Sequence, residues 1–334
     1  MSLDQQVSVL TAALKTQFEQ AMVQIAEPVK YQKFTTKLPS TTRIENHGLF
    51  TLVPGFQLWS GYRTYGDIDS FIYSVMNEVY HSEFMATLED VEDEQTGGLL
   101  RKPAQLVEKG KIFPSRMVMK ALAAGTGTLA FDGLDFIATG VRTSTASGYG
   151  VGDNLLTTKT CASGDGKSLA LYGMYCRPDL KPLIWQDRTP VEFHTNSGTP
   201  DMWESRQVRW WADLRGAAAY GFWFDVVKQP ITNTPNITEM FDILQNIENA
   251  MRSFTLPKTA STEDGEYVHE QVEFTAENFM YAGSVPLAPL LRQILNQEWI
   301  PQAGIGATGG GTGTTAGTTN LWKGCGDYVV SNFL

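Results

Sequence analysis

The chain has 334 residues, 42% of them hydrophobic and 19% charged, with eight Trp and a formal net charge of −10. That length and apolar content support a large core in two domains, or in one domain with long extensions, and exclude a disordered or collagen-like chain. Charge below the roughly 25% of an ordinary soluble domain points to uncharged contact surface, and an acidic balance with no basic cluster argues against tight nucleic-acid binding, though not against enclosure of nucleic acid.

Three cysteines, Cys161, Cys176 and Cys325, are odd in number and form no CxxC pair. A disulfide framework is not expected, and a reducing cytoplasm fits better. The N-terminus shows no basic segment followed by an apolar core, and no run approaches the ~18 apolar residues of a membrane helix. The expectation is a cytosolic protein with no membrane partner.

In chain order, Leu3, Val7, Leu10, Leu14, Phe18 and Met22 recur at steps of four and three, which predicts an amphipathic helix over 3–22, ending by Pro28. It packs either on its own core or on a neighbouring chain. Residues 29–48 read as polar and extended. Gly48–Glu83 holds Phe50, Phe56, Trp59, Tyr62, Tyr65, Phe71, Tyr73 and Tyr80, broken into short pieces by Pro54, Gly55, Gly61 and Gly66. Phe84–Leu88 reads as a strand, Asp90–Glu94 as an acidic turn, and Gly97-Gly98 as a break. A helix then starts near Arg101, with Pro103 in its first turn. Pro114-Ser115 interrupts it, and a second piece runs Arg116–Ala124 to Gly125. The rod spans roughly 35 Å.

Gly125–Asn154 reads as a long loop with Phe131–Phe136 tucked inward. A β-rich block follows: Leu169–Cys176, Leu183–Gln186, Glu192–Thr195 and Gln207–Arg215. The last alternates best, with Val208, Trp210, Ala212 and Leu214 inward. Gly216–Gly221 lets backbones approach closely, Phe222–Val227 continues as a strand, and Gln229-Pro230 closes the block. The clearest helix is 234–254, capped by Asn236 with Glu239 in a capping box, or by Thr234 with Pro235 behind it. Leu256–Glu273 is a polar connection, Pro286–Trp299 a shorter helix, Gly304–Thr319 a Gly/Thr loop and Asp327–Leu334 a final strand. A helix and strand layer after a strand block predicts a second α/β domain over 231–334.

The ordered series of Asp90–Glu94, Gly97-Gly98, the rod, Phe131-Asp-Gly-Leu-Asp-Phe136, Leu180–Arg188, Ala219–Phe224, Ala250–Phe254 and Thr319–Gly324 resembles the major head (capsid) subunits of Mu-like phages, the gpT family. It runs from about Thr41 onward. No single member of the series is a chemical motif. The resemblance implies an α+β tailed-phage (Hong Kong 97-type) major capsid fold, with an N-terminal arm over 1–42 and a projecting E-loop over 43–93. A peripheral domain with a spine helix would follow over 94–230, and an axial α/β domain over 231–334. It implies copies of the chain as the main partners, in the hexamers and pentamers of an icosahedral head enclosing double-stranded DNA without sequence-specific binding. A separate scaffold protein, a portal and a decoration protein would be further partners. The contact residues between copies would include Trp59, Tyr62, Arg63, Tyr65, Asp93, Glu94, Arg101 and Lys102.

Other chemistry finds little support. The Gly304–Gly313 run has neither the preceding strand nor the following helix of a dinucleotide loop. Asp90–Glu94 lacks the alternating pattern of a calcium loop and suits a solvated turn, or a partner for Arg101 and Lys102 on another chain. His47, His81, His194 and His269 show no metal-ligand spacing, and no Gly-x-Ser-x-Gly elbow occurs. No catalytic residue, cofactor or metal is expected. The competing readings are a cytosolic α/β enzyme with a substrate loop at Gly304–Thr319, and a tail or baseplate structural protein.

Overall fold

The computed structural model describes residues 3–50, 70–93, 97–143, 151–255, 260–261, 267–268, 275, 278–300, 318–320 and 322–334. The first element, α1 (Leu3–Gln24), buries Val7, Leu14, Phe18 and Ala21. The apolar stripe that predicts the helix is covered by the chain's own residues, the first of the two readings. The short α2 (Val29–Gln32) and β1 (Thr35–Pro39) follow, then β2 (Ile44–Phe50), β3 (Ser70–Met76) and β4 (Glu78–Thr87). β2 and β3 pair antiparallel, with Ile44 opposite Met76.

The strand expected to end at Leu88 ends at Thr87, and the acidic turn begins as a helix, α3 (Leu88–Glu92). The cause is a capping box. The Asp90 amide donates to the Thr87 hydroxyl, and the Thr87 amide donates to the Asp90 carboxylate. Leu88 and Val91 then turn inward.

The rod is one helix, α4 (Lys102–Ala124), with Pro103 in its first turn and no interruption at Pro114-Ser115. Pro114 has no amide to give the Gly110 carbonyl and crowds it, which would break an isolated helix. Packing on both sides of the proline holds the helix together. Leu106 and Val107 meet Phe18 and Ala212, while Val118, Met119 and Leu122 enter the main core. Gly110 permits the approach to Val191, whose Cγ2 would lie 2.7 Å from a Cβ at that position.

Beyond α4, Phe136 is fully buried and stacks on Tyr220 at 4.2 Å between ring centroids, so the 131–136 segment is tucked inward as expected. The strands β5 (Lys159–Thr160), β6 (Ser168–Tyr175) and β7 (Leu183–Thr195) follow. β7 is a single strand where two were expected, because register shifts near Asp187, Thr189 and Glu192 carry it past its irregular stretch. After α5 (Pro200–Ser205), β8 (Gln207–Tyr220) buries Val208, Trp210 and Ala212 and runs on through the small-residue stretch. There a Cβ at Gly216 would lie 2.6 Å from the Gln186 carbonyl oxygen.

Phe222–Val227 is not a continuous strand. Trp223–Asp225 make a buried 3₁₀ turn, and β9 (Val226–Thr232) starts after it, with Gln229 and Pro230 inside rather than closing it. α6 (Ile237–Ser253) is capped by Asn236, with Glu239 completing the box. Next come the two-residue strands β10 (Ala260–Ser261) and β11 (Tyr267–Val268), then β12 (Phe279–Ser284). α7 (Ala288–Asn296) follows and is shorter than expected, because Val285–Leu287 form a 3₁₀ turn. β13 (Trp299–Ile300), β14 (Thr318–Thr319) and β15 (Asp327–Ser331) end the order. Most of the 256–273 connection and of the Gly304–Thr319 loop lies outside the described residues.

Two main sheets result, β1-β7-β8-β4 and β15-β12-β6-β9-β5. α1 and α4 cover one face of the first, and α6 and α7 pack on the second. The boundary expected at 230/231 cuts through β9 and parts β6 from its own sheet. β6 and β9 are antiparallel neighbours, and the β7–β8 pair is inserted between them in sequence. One core cluster spans both sheets, from Phe34, Trp185 and Tyr220 to Ile247, Tyr281 and Leu291.

Candidate assembly surface

The four-stranded sheet has two unlike faces because strand side chains alternate. Tyr80, Ser82, Phe84 and Ala86 of β4 lie opposite Leu214, Ala212, Trp210 and Val208 of β8 on the helix-covered face. There Phe84 stacks on Trp210, and the Trp210 indole N–H donates to the Thr11 hydroxyl.

On the opposite face, the β2–β3 hairpin covers one end. Val75 packs with Ile184, Ala217 and Ala219, and the His47 Nε2 sits 2.7 Å from the Gln186 Oε1. The rest of that face is open. It carries Val79, His81, Glu83 and Met85 of β4 beside Arg215, Asp213, Trp211 and Arg209 of β8. The His194 Nε2 lies 3.7 Å from Asp213 and 3.9 Å from Glu192, with its ring 5.9 Å from that of Trp211. Apolar side chains are left in water along these strands: Ile72 is 75% exposed, Met85 64% and Val79 58%. On the hairpin, Met76 and its register partner Ile44 are exposed as well. Scattered exposed apolar residues are ordinary, whereas these lie together along the β2–β3 pair and the sheet-edge strand β4.

The candidate contact residues divide. Trp59, Tyr62, Arg63, Tyr65 and Glu94 lie outside the described residues. Asp93 caps the C-terminal end of α3, while Arg101 and Lys102 open α4. All three are exposed. Within the acidic segment Asp90 serves the local capping box, and the adjoining Glu89 pairs with the distant Arg206.

A further feature escaped the sequence reading. The exposed side of α4 carries Lys102, Lys109, Arg116 and Lys120. Steps of seven, seven and four bring these four within about 40° of arc on a helix of 3.6 residues per turn. The spacing was available in the sequence, but a search for consecutive basic residues passes over it.

The larger concavities are open. One, of about 730 Å³, lies between α7 and β15 and is lined by Lys30, Arg292, Gln293 and Tyr328 among others. Another, of about 560 Å³, lies between β3, α4 and β8. Among the described residues, no three His, Cys, Asp or Glu side chains come together as a metal would require, and no helix is long and apolar enough to cross a membrane. Cys161, Cys176 and Cys325 are all free. Burial pushes the Cys176 thiol up to about 12, with the nearby Asp225 adding to the shift, so it is held as the inert thiol.

The sequence profile of the Mu-like prophage major head subunit gpT matches residues 7–253. The chain is 24% identical over 198 residues to the major capsid protein of Escherichia phage Mu, covering 59% of this chain and 65% of that one. It is 28% identical over 200 residues to the Mu-like prophage FluMu major head subunit of Haemophilus influenzae, covering 59% and 64%. It thus spans just under two thirds of the length of these curated relatives. Among solved structures, the bacteriophage JBD30 capsid chain superposes with a TM-score of 0.64 at 16% identity, over 92% of this chain and 91% of that one. The JBD30 procapsid chain gives 0.61 at 21% identity, over 90% and 93%. Identity that low carries the fold alone, and the fold is the tailed-phage capsid fold expected from the sequence. With three quarters of its length inside the family profile, the chain belongs to the Mu-like prophage major head subunit gpT family.

Proposed function

We propose that this chain is the shell-forming subunit of a tailed-phage head. Copies of it associate into hexamers and pentamers, and these close into an icosahedral shell around double-stranded DNA in the host bacterial cytoplasm. A separate scaffold protein, a portal and a decoration protein complete the particle. The role is structural rather than catalytic. The observation that carries this reading is the family match over residues 7–253. The row of exposed apolar residues on the β2–β3 hairpin and β4 supports it, because such residues gain free energy only when a partner covers them. Contacts that are weak singly add up in a closed shell.

Within this reading, residues 43–93 form the E-loop. Trp59, Tyr62, Arg63 and Tyr65 dock on a neighbouring copy, and Asp93 with Glu94 face Arg101 of another copy. Lys102 shares that end of α4 but is turned by about 100° from Arg101.

The test is electron microscopy with light scattering on the purified protein, alone and co-expressed with its scaffold. Closed shells, or rings of five and six, are expected. A variant with residues 51–69 replaced by a short Gly/Ser link should keep its far-ultraviolet circular dichroism and lose assembly. A uniform small oligomer that persists across concentration, salt and scaffold co-expression would overturn the reading.

A further inference from the structure

We infer that the exposed face of α4 is a phosphate-tracking surface that holds the sugar-phosphate backbone of duplex DNA, without regard to sequence, through Lys102, Lys109, Arg116 and Lys120. In a chain of net charge −10, ten of the 19 described basic side chains outside this helix have acidic partners. Lys33 pairs with Asp327, Lys37 with Glu27 and Asp187, Lys167 with Asp165, Arg206 with Glu89, Arg252 with Glu248, and Lys323 with Glu298. None of the ion pairs among the described residues uses Lys102, Lys109, Arg116 or Lys120. The one acid on α4, Glu108, pairs with none of them. Arg116 and Lys120 lie over the Phe333 ring, 5.3 and 5.6 Å from its centroid. That contact fixes their direction and leaves their charge unneutralised.

The geometry suits a long polyanion better than a point ligand. From Lys102 to Lys120 the rise is about 27 Å, a length over which duplex DNA carries about 16 phosphates. The four cations form a line on a rigid helix that is anchored along its other side by Val107, Val118 and Leu122, so little ordering cost remains on binding. Between them lie the uncharged Gln105 and Ile112, both exposed. They offer nothing specific to read a base, and the chain should grip backbone alone. Glu78 lines the same concavity as Lys120, and more distant acidic residues repel DNA as a whole. Beyond about 8–10 Å at moderate salt that repulsion is screened, and the stripe acts at contact range. The surface therefore deepens the shell reading by assigning this face to the DNA-filled side, and it depends on that reading for its biological setting only.

The experiment is fluorescence anisotropy of a labelled random-sequence duplex titrated with the full chain, in parallel with electron microscopy of the same samples. Four phosphate contacts predict an affinity that falls on the order of a hundredfold between about 50 and 200 mM salt. The combined variant Lys102→Gln, Lys109→Gln, Arg116→Gln and Lys120→Gln should lose at least about tenfold in affinity at about 50 mM salt and flatten that salt dependence. A variant with the same loss of charge elsewhere, Lys159→Gln, Arg206→Gln, Arg252→Gln and Lys323→Gln, should bind as the parent does. Equal losses in both variants would reduce the effect to net charge and overturn the inference, as would no binding by the parent at low salt. Displacement of the duplex by poly-glutamate at lower concentration would overturn it in favour of an acidic protein partner. Shells that form normally while the parent fails to bind DNA would sink this inference and leave the shell function standing. Binding through the stripe by a protein that never forms shells would do the reverse.

Discussion

At Asp225 a single carboxyl stands where the chain leaves one sheet for the other. It is fully buried, and the Arg177 Nε donates to both its oxygens at 2.9 and 3.1 Å, with the guanidinium over the rings of Phe224 and Tyr175. Burial raises its pKa, Arg177 pulls it back, and it settles at about 7. A carboxyl whose pKa is raised on folding holds its proton in the native state while the unfolded chain has lost it. Its stabilising share is complete below the ordinary carboxylate value near 4 and drains away as pH climbs through about 7. Asp225→Asn should therefore remove a fall in unfolding free energy between about pH 4 and 7, measured by urea denaturation at several pH values; an unchanged slope would refute the assignment. Arg142 makes a comparable buried pair with Asp132 and lies 4.5 Å from the Trp223 ring centroid. Neither pair is legible in the sequence. Asp225 is one acid in an aromatic run that reads as strand, and its partner is 48 residues away.

Elements whose signals are local came through best. α6 shows both an apolar stripe and a cap, and the structure uses the Asn236 side chain, which accepts from the Glu239 amide at 2.9 Å. Glu239 in turn accepts from the Asn236 amide with one oxygen and from the Ala162 amide with the other. Asn236→Ala should cost about 1 kcal/mol, read as a lower urea midpoint at unchanged slope. A change below a few tenths of that would show that the loop contact, not the cap, holds this end. α4 was legible in extent but not in continuity. Pro114 is a strong local breaker, and tertiary packing along both halves overrides it. The strand read over Phe222–Val227 failed for the converse reason. High β-propensity there reflects aromatic side chains that fill the core from a turn, not from a pleat.

For the whole molecule, the sheet order is set by pairings that periodicity does not encode, so the predicted boundary at 230/231 missed. β6 and β9 are neighbours across a long insertion, and β15 completes their sheet from the far end of the chain. The contact residues proposed on 51–69 rest likewise on resemblance alone, whereas the apolar row on β3 and β4 is visible once their faces are known. A core shared by both sheets should make thermal unfolding of the isolated subunit one cooperative transition. Near- and far-ultraviolet circular dichroism should superpose, and two separated transitions would show that the sheets melt as independent bodies. The insertion of β7 and β8 between β6 and β9 also has a mechanical result. Besides the long connection through α4, two short straps, 176–182 and 221–225, join the sheets side by side. Arg177 on one grips Asp225 on the other, and a Cβ at Gly221 would come within 2.6 Å of the Lys181 carbonyl oxygen. A lone linker swivels about any axis, but twin straps riveted together behave as a leaf spring. They flex across their broad side and resist torsion, so a subunit fitted to rings of different curvature would tilt its two sheets along one fixed direction.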